Sequence, residues 1–154
     1  MLQILLTLHS FFRWLVLLIL LYAIYRSAKA YLAGRSFNKI DNAIRHWTAT
    51  ISHIQLTIGM VLYFNSPIVN YTFTSEENGS LISEAYFFKI VHITFMISAV
   101  VLITVGSSLA KRNELSTDKF KTMFLWFTVA LIFIFLAIPW PFSPLISRPY
   151  IRSF

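Results

Sequence analysis

The chemistry open to this chain rests on four histidines, most of them set in apolar surroundings. His9 and Arg13 stand four residues apart in one hydrophobic run, and His53 and Gln55 lie in a second. Lys89 and His92, three apart, lie in a third, and His46 stands where the second begins. There is no cysteine, which excludes disulfides, thiolate metal sites and thioether-attached haem. Imidazole remains. A neutral ring nitrogen can ligate a transition metal or a haem iron, and the ring can exchange a proton near neutral pH. A charged side chain at the centre of a bilayer costs about 2.5–3.5 kcal/mol on insertion scales. Polar groups in such runs are therefore expected to face a bundle interior and to mark a ligand or proton site.

The elements that carry these residues are predicted to be membrane spans. Of 154 residues, 57% are hydrophobic and 12% charged, against about 25% charged in an ordinary soluble domain. Four segments approach the roughly 20 apolar residues that a helix needs to cross hydrocarbon, at about 2–25, 47–64, 86–108 and 123–142. Runs such as Leu15–Leu21 do not alternate, which excludes a membrane β-barrel. The expected architecture is an all-α integral membrane protein, one four-helix transmembrane domain over 1–154. Asn65-Ser66-Pro67 stops the second span and Pro139-Trp140-Pro141 the fourth, since proline does not continue a helix. The tail 143–154, broken by Pro144 and Pro149, is expected along the outer surface.

Charge sets the orientation. The first link holds Arg26, Lys29, Arg35, Lys39 and Arg45, and the third holds Lys111, Arg112, Lys119 and Lys121. The second carries Glu76, Glu77 and Glu84 but no Lys or Arg. By the positive-inside rule links one and three are cytoplasmic, which puts both termini on the other side. The net charge of +7 thus reads as a topology signal facing the lipid bilayer, and no nucleic acid is expected as a partner. The first apolar run has its basic residues after it rather than before, so it is read as a span and not as a signal peptide. Asn70-Tyr71-Thr72 and Asn78-Gly79-Ser80 match the glycosylation sequon.

Helix geometry then groups the polar residues. His9 and Arg13 share a face, as do Lys89 and His92, and so do His46 and His53, seven apart. At about 1.5 Å rise per residue, His9 and His92 both fall about 7 Å outward of the midplane, with His53 about 10 Å lower. Two imidazoles at one level on two helices are candidate axial ligands for a b-type haem. Arg13 and Lys89 would supply cations for its propionates, and no Asp or Glu lies inside the predicted spans. Because Arg13 sits a turn deeper than His9, a quinone carbonyl is an alternative partner for it.

Structural roles compete with these. His46 fits an interfacial residue, Lys89 a snorkelling one, and Gln55 or any single histidine an interhelical hydrogen bond. Met60, Met96 and Met123 could complete a copper or haem site, although methionine more often fills gaps. His9 with Arg26-Ser27-Ala28-Lys29, and His92 with Ser108-Leu109-Ala110-Lys111, form an internal echo between the two helical hairpins.

Three stretches together resemble a known group. They are His9-Ser10-Phe11-Phe12-Arg13-Trp14, the run from His53-Ile54-Gln55-Leu56-Thr57-Ile58-Gly59 to Tyr63-Phe64-Asn65-Ser66-Pro67, and Ile138-Pro139-Trp140-Pro141-Phe142. The chain is similar, over essentially its whole length, to small four-span membrane proteins of Bacteroidetes-type bacteria labelled cytochrome b. That resemblance implies a haem-binding protein of the bacterial inner membrane, with His9, His53 and His92 as candidate ligands and Arg13 beside them. Intramembrane electron transfer is then the expected role, with haem b as cofactor and quinone as a candidate exchange partner. The alternatives carried forward are a non-enzymatic structural or accessory subunit of a larger membrane complex and a His/Met metal or proton carrier, with a redox complex or a second copy of the chain as candidate partners. No acidic pair, nucleophile elbow or phosphate loop points to a hydrolase.

Overall fold

A computed structural model describes residues 2–70, 83–143, 145, 146 and 148. Four long helices dominate: α1 (Leu2–Leu32), α2 (Lys39–Asn65), α5 (Ile93–Arg112) and α6 (Ser116–Ala137). Between α2 and α5 come the short α3 (Pro67–Asn70), α4 (Glu84–Tyr86) and a π-helical segment, Phe87–His92, that runs directly into α5. Among the described residues there is no strand. Glu76, Glu77, the second sequon, all of the first but Asn70, and most of the tail lie outside the described residues.

The helix ends differ from those of the apolar segments, because local hydrogen bonds rather than hydropathy set them: α1 and α2 run beyond their segments, whereas α6 starts earlier and ends five residues short of 142. Leucine-rich α1 continues to Leu32 and closes at Gly34, whose φ of 60° is the left-handed conformation that favours glycine. Arg35 N–H then returns to the Ala30 carbonyl at 3.1 Å. A capping box opens α2 eight residues ahead of Trp47. Asn38 Oδ1 accepts from Asp41 N–H at 3.0 Å, and Asp41 Oδ2 accepts from Asn38 N–H at 2.9 Å. At the other end of the chain α6 stops at Ala137, two residues before Pro139.

Among the described residues, three helical stretches are long and apolar enough to cross a membrane: Leu2–Leu32, Glu84–Arg112 and Ser116–Ala137. Their outward faces carry exposed Leu18, Leu21, Val101, Leu125 and Ile132. Helix α2 has the length but is more polar. The four long helices pack in the cyclic order α1, α2, α5, α6, each against two neighbours. Leu20 and Ala23 of α1, Ala99 and Ile103 of α5, and Phe127 and Ala130 of α6 are fully buried in the shared core. Helices α5 and α6 approach closely at Gly106, which lies against the Cβ of Trp126.

The basic end of the bundle is tied by ion pairs. Asp41, 1% exposed, accepts from Arg26 Nε at 2.6 Å and from Arg35 Nη2 at 2.7 Å. Burial pushes its carboxyl up, but the hydrogen bonds from Arg35, Asn38 N–H and Arg26 outweigh this and hold it below the usual carboxylate range. Buried Arg45 donates to Ser107 Oγ at 2.6 Å and to Asn42 Oδ1 at 2.9 Å, joining α2 to α5. Arg35 also lies over Phe120, 5.1 Å from the ring centre.

Candidate functional site

The opposite end of the bundle holds a cavity of about 400 Å³. It is lined by the first half of α1, the second half of α2, the π-helical segment with the start of α5, and the end of α6. His9, Arg13, Gln55 and His92 lie on its wall among Met60, Met96 and aliphatic side chains. This is the end that the charge pattern predicts to be non-cytoplasmic.

The fold brings His9 and His92 together. Their ring centres are 6.4 Å apart, with the planes at 65°. An imidazole nitrogen binds a transition metal at about 2.0–2.1 Å, so two rings on opposite sides of one ion have centres about 6–6.5 Å apart. Separate contacts hold each ring. Gln55 Nε2 donates to the His9 carbonyl at 3.0 Å and lies 3.4 Å from His9 Nε2. The first bond orients the amide, and it leaves Gln55 Oε1 and His9 Nδ1 buried without a hydrogen-bond partner. Gly59 makes the approach feasible, because a Cβ there would lie 3.1 Å from His9 Cε1.

His92 is the last residue of the π-helical segment, a geometry frequent at functional sites. Its Nδ1 donates to the Ala137 carbonyl at 2.8 Å. A carbonyl only accepts, so Nδ1 carries the hydrogen and a neutral ring has its lone pair on Nε2. Ligating histidines typically hold their second nitrogen in this way. Phe88, whose ring centre is 5.7 Å from that of His92, and Phe87 at 6.0 Å wall the imidazole on one side.

Arg13 lies on the cavity wall with its guanidinium 5.6 Å from the Trp14 ring centre, and Trp14 in turn meets Trp140. Arg148 also reaches the cavity and pairs with Glu84.

Two predicted site residues are placed elsewhere. His53 sits on the exposed face of α2, its Nε2 2.9 Å from Thr104 Oγ1 of α5, and it does not line the cavity. Lys89 is off the cavity wall as well, and its carbonyl accepts from Tyr63 Oη at 3.3 Å. The shared face expected for Lys89 and His92 assumed α-helical spacing. The π-helical turn changes that register. His46 is exposed beside Trp47.

Several contributors escaped the sequence reading. The role of Gln55 beside His9 has no signature in the sequence beyond a polar side chain in an apolar run, Gly59 stands out only as part of a motif, and the Ala137 carbonyl has no side-chain signature. The prolines at 139 and 141 were the available signal for the last. Among the described residues no three His, Asp or Glu side chains cluster closely enough to hold a metal ion. Comparison with family models, curated proteins and solved structures found no match to this chain.

Proposed function

We propose that this chain is a four-span protein of the bacterial inner membrane, termini outward, that binds a b-type haem and carries electrons within the bilayer. The apolar part of α2, about 47–64, supplies the fourth span, and its polar side chains are tolerated where neighbouring helices satisfy them. The observation that carries the reading is the pair of imidazoles from two helices, 6.4 Å apart on the wall of an apolar cavity. Two histidines would suffice to hold a haem iron, whereas a bare metal ion asks for three or four protein ligands. The buried, partnerless His9 Nδ1 and the tautomer of His92 fit the same role.

Bound haem would supply reversible one-electron chemistry at its iron. In this reading His9 and His92 hold it, Arg13 offers a cation to a propionate, and the aliphatic walls exclude water. A membrane quinone is the exchange partner of the proposal.

The test is an optical spectrum of purified protein. A Soret band that shifts on dithionite reduction is expected, lost in His9→Ala and His92→Ala and kept in His53→Ala. A colourless preparation that does not respond to added haemin overturns the proposal. A second reading draws on the exposed His53–Thr104 pair between α2 and α5. Polar groups on an outward face suit a non-enzymatic subunit docked to another membrane protein. It predicts a stoichiometric co-purifying partner and no haem absorbance.

A further inference from the structure

Helix α6 ends on an arrangement whose consequence reaches the other side of the site. In an α-helix each carbonyl accepts from the N–H four residues on. Proline has no N–H, so Pro139 cannot donate to the Phe135 carbonyl and Pro141 cannot donate to that of Ala137. Carbonyls left without donors away from water are costly. Both are satisfied here by aromatic heterocycles. Trp140 Nε1 donates to the Phe135 carbonyl at 2.9 Å, and His92 Nδ1 donates to the Ala137 carbonyl at 2.8 Å. Ile138, extended at φ −75° and ψ 127°, turns the chain out of the helix between them.

We infer that the Pro139-Trp140-Pro141 turn is a positioning device for His92: it fixes the ring as the Nδ1–H tautomer and presents Nε2 to the cavity as the ligand nitrogen. With Ile138 extended, the helix has already ended, so the carbonyls of Phe135 and Ala137 both lose the helical donors that Pro139 and Pro141 could not have supplied in any case; Trp140 takes the first and His92 the second. A hydrogen bond of this kind holds the imidazole plane and removes the choice between its two nitrogens. Only the ligand role of Nε2 rests on the haem reading. The tautomer itself does not.

The test uses the full chain in lipid nanodiscs without added haem, with ¹⁵N-labelled histidine and the His92 signals assigned by loss in His92→Gln. At neutral pH the native protein is expected to show His92 as the neutral Nδ1–H form. An Nε2–H tautomer or an imidazolium overturns the inference, and this measurement needs no variant that has to fold. Pro139→Ala returns a donor to Phe135 alone and is expected to leave the His92 signals in place. Pro139→Ala/Pro141→Ala lets the helix continue and supplies an N–H to Ala137, so His92 is expected to become a tautomer mixture. An unchanged His92 signature in a helical double variant overturns the inference. In parallel, haemin titration should show binding about 10–100-fold weaker in the double variant. A native protein with the Nδ1–H tautomer that takes up no haemin supports this inference and overturns the haem reading.

Discussion

Gly106→Ala offers a direct measure of how tightly the bundle is closed. A Cβ at this position would stand 2.3 Å from Trp126 Cβ and 2.9 Å from Cγ, whereas ordinary contacts begin at 3.4 Å. The nearer atom is fixed by the α6 backbone and cannot rotate away, so α5 and α6 must part locally by about 1.1 Å. Overpacking of a closed core costs about 1–3 kcal/mol, and a rigid clash of this depth belongs at the upper end. Replacing glycine by alanine inside a helix returns about 1 kcal/mol, so a net loss of about 2 kcal/mol is expected. The assay is denaturant or thermal unfolding in detergent micelles, followed by helical circular dichroism and by tryptophan fluorescence. A variant as stable as the native chain, with unaltered tryptophan emission, would refute the close approach of these two helices.

Gly59→Ala should behave differently. Its Cβ would meet a ring edge at 3.1 Å rather than backbone-fixed atoms. Stability is expected to stay within about 1 kcal/mol, while the His9 NMR signals shift and haemin affinity falls; unmoved His9 signals would argue against the packing described. Asp41→Asn removes the negative charge that Arg26 and Arg35 share, and it sets an amide NH2 against the Asn38 N–H from which Oδ2 now accepts. About 2 kcal/mol of stability should go, less than the 3–5 kcal/mol of a fully buried pair, because the two guanidinium groups are 27% and 36% exposed. Because the folded Asp41 value is depressed, its contribution is complete above about pH 4 and is lost as pH falls through the lower folded value. Acid unfolding curves of native and Asp41→Asn protein should therefore converge at low pH, and parallel curves would contradict this. Ser107→Ala strips buried Arg45 of its 2.6 Å partner and should cost about 1.5–3 kcal/mol in the same unfolding assay.

Much of this molecule can be read along the chain, because helix formation and helix termination are local. The apolar runs mark the helices, Asn38 and Asp41 hold a cap three residues apart, and Pro139 stops α6. His9 and His92 could be set at one level by counting rises along two helices. What counting could not supply is the rotation of each helix about its own axis. In a soluble helix the apolar stripe marks the inward face. Helix α1 is apolar nearly all round, its exposed Leu18 and Leu21 chemically like its buried Leu17 and Leu20, so pattern alone does not orient it. His53 and Lys89 illustrate the consequence: both sit in or beside apolar runs, and both lie off the cavity wall.

By itself, then, the sequence determined the all-helical class and which side chains were unusual for an apolar setting. Tertiary structure alone decided which of those side chains meet. The contact between α5 and α6 at Gly106, the π-helical turn before His92 and the gap left by Gly59 set how each helix is turned. Those rotations bring His9, Gln55, Arg13 and His92 to one cavity, and they turn His53 outward toward Thr104. The physical reason is that hydropathy separates lipid-like from water-like surroundings. It does not distinguish a helix face packed on protein from one that faces lipid.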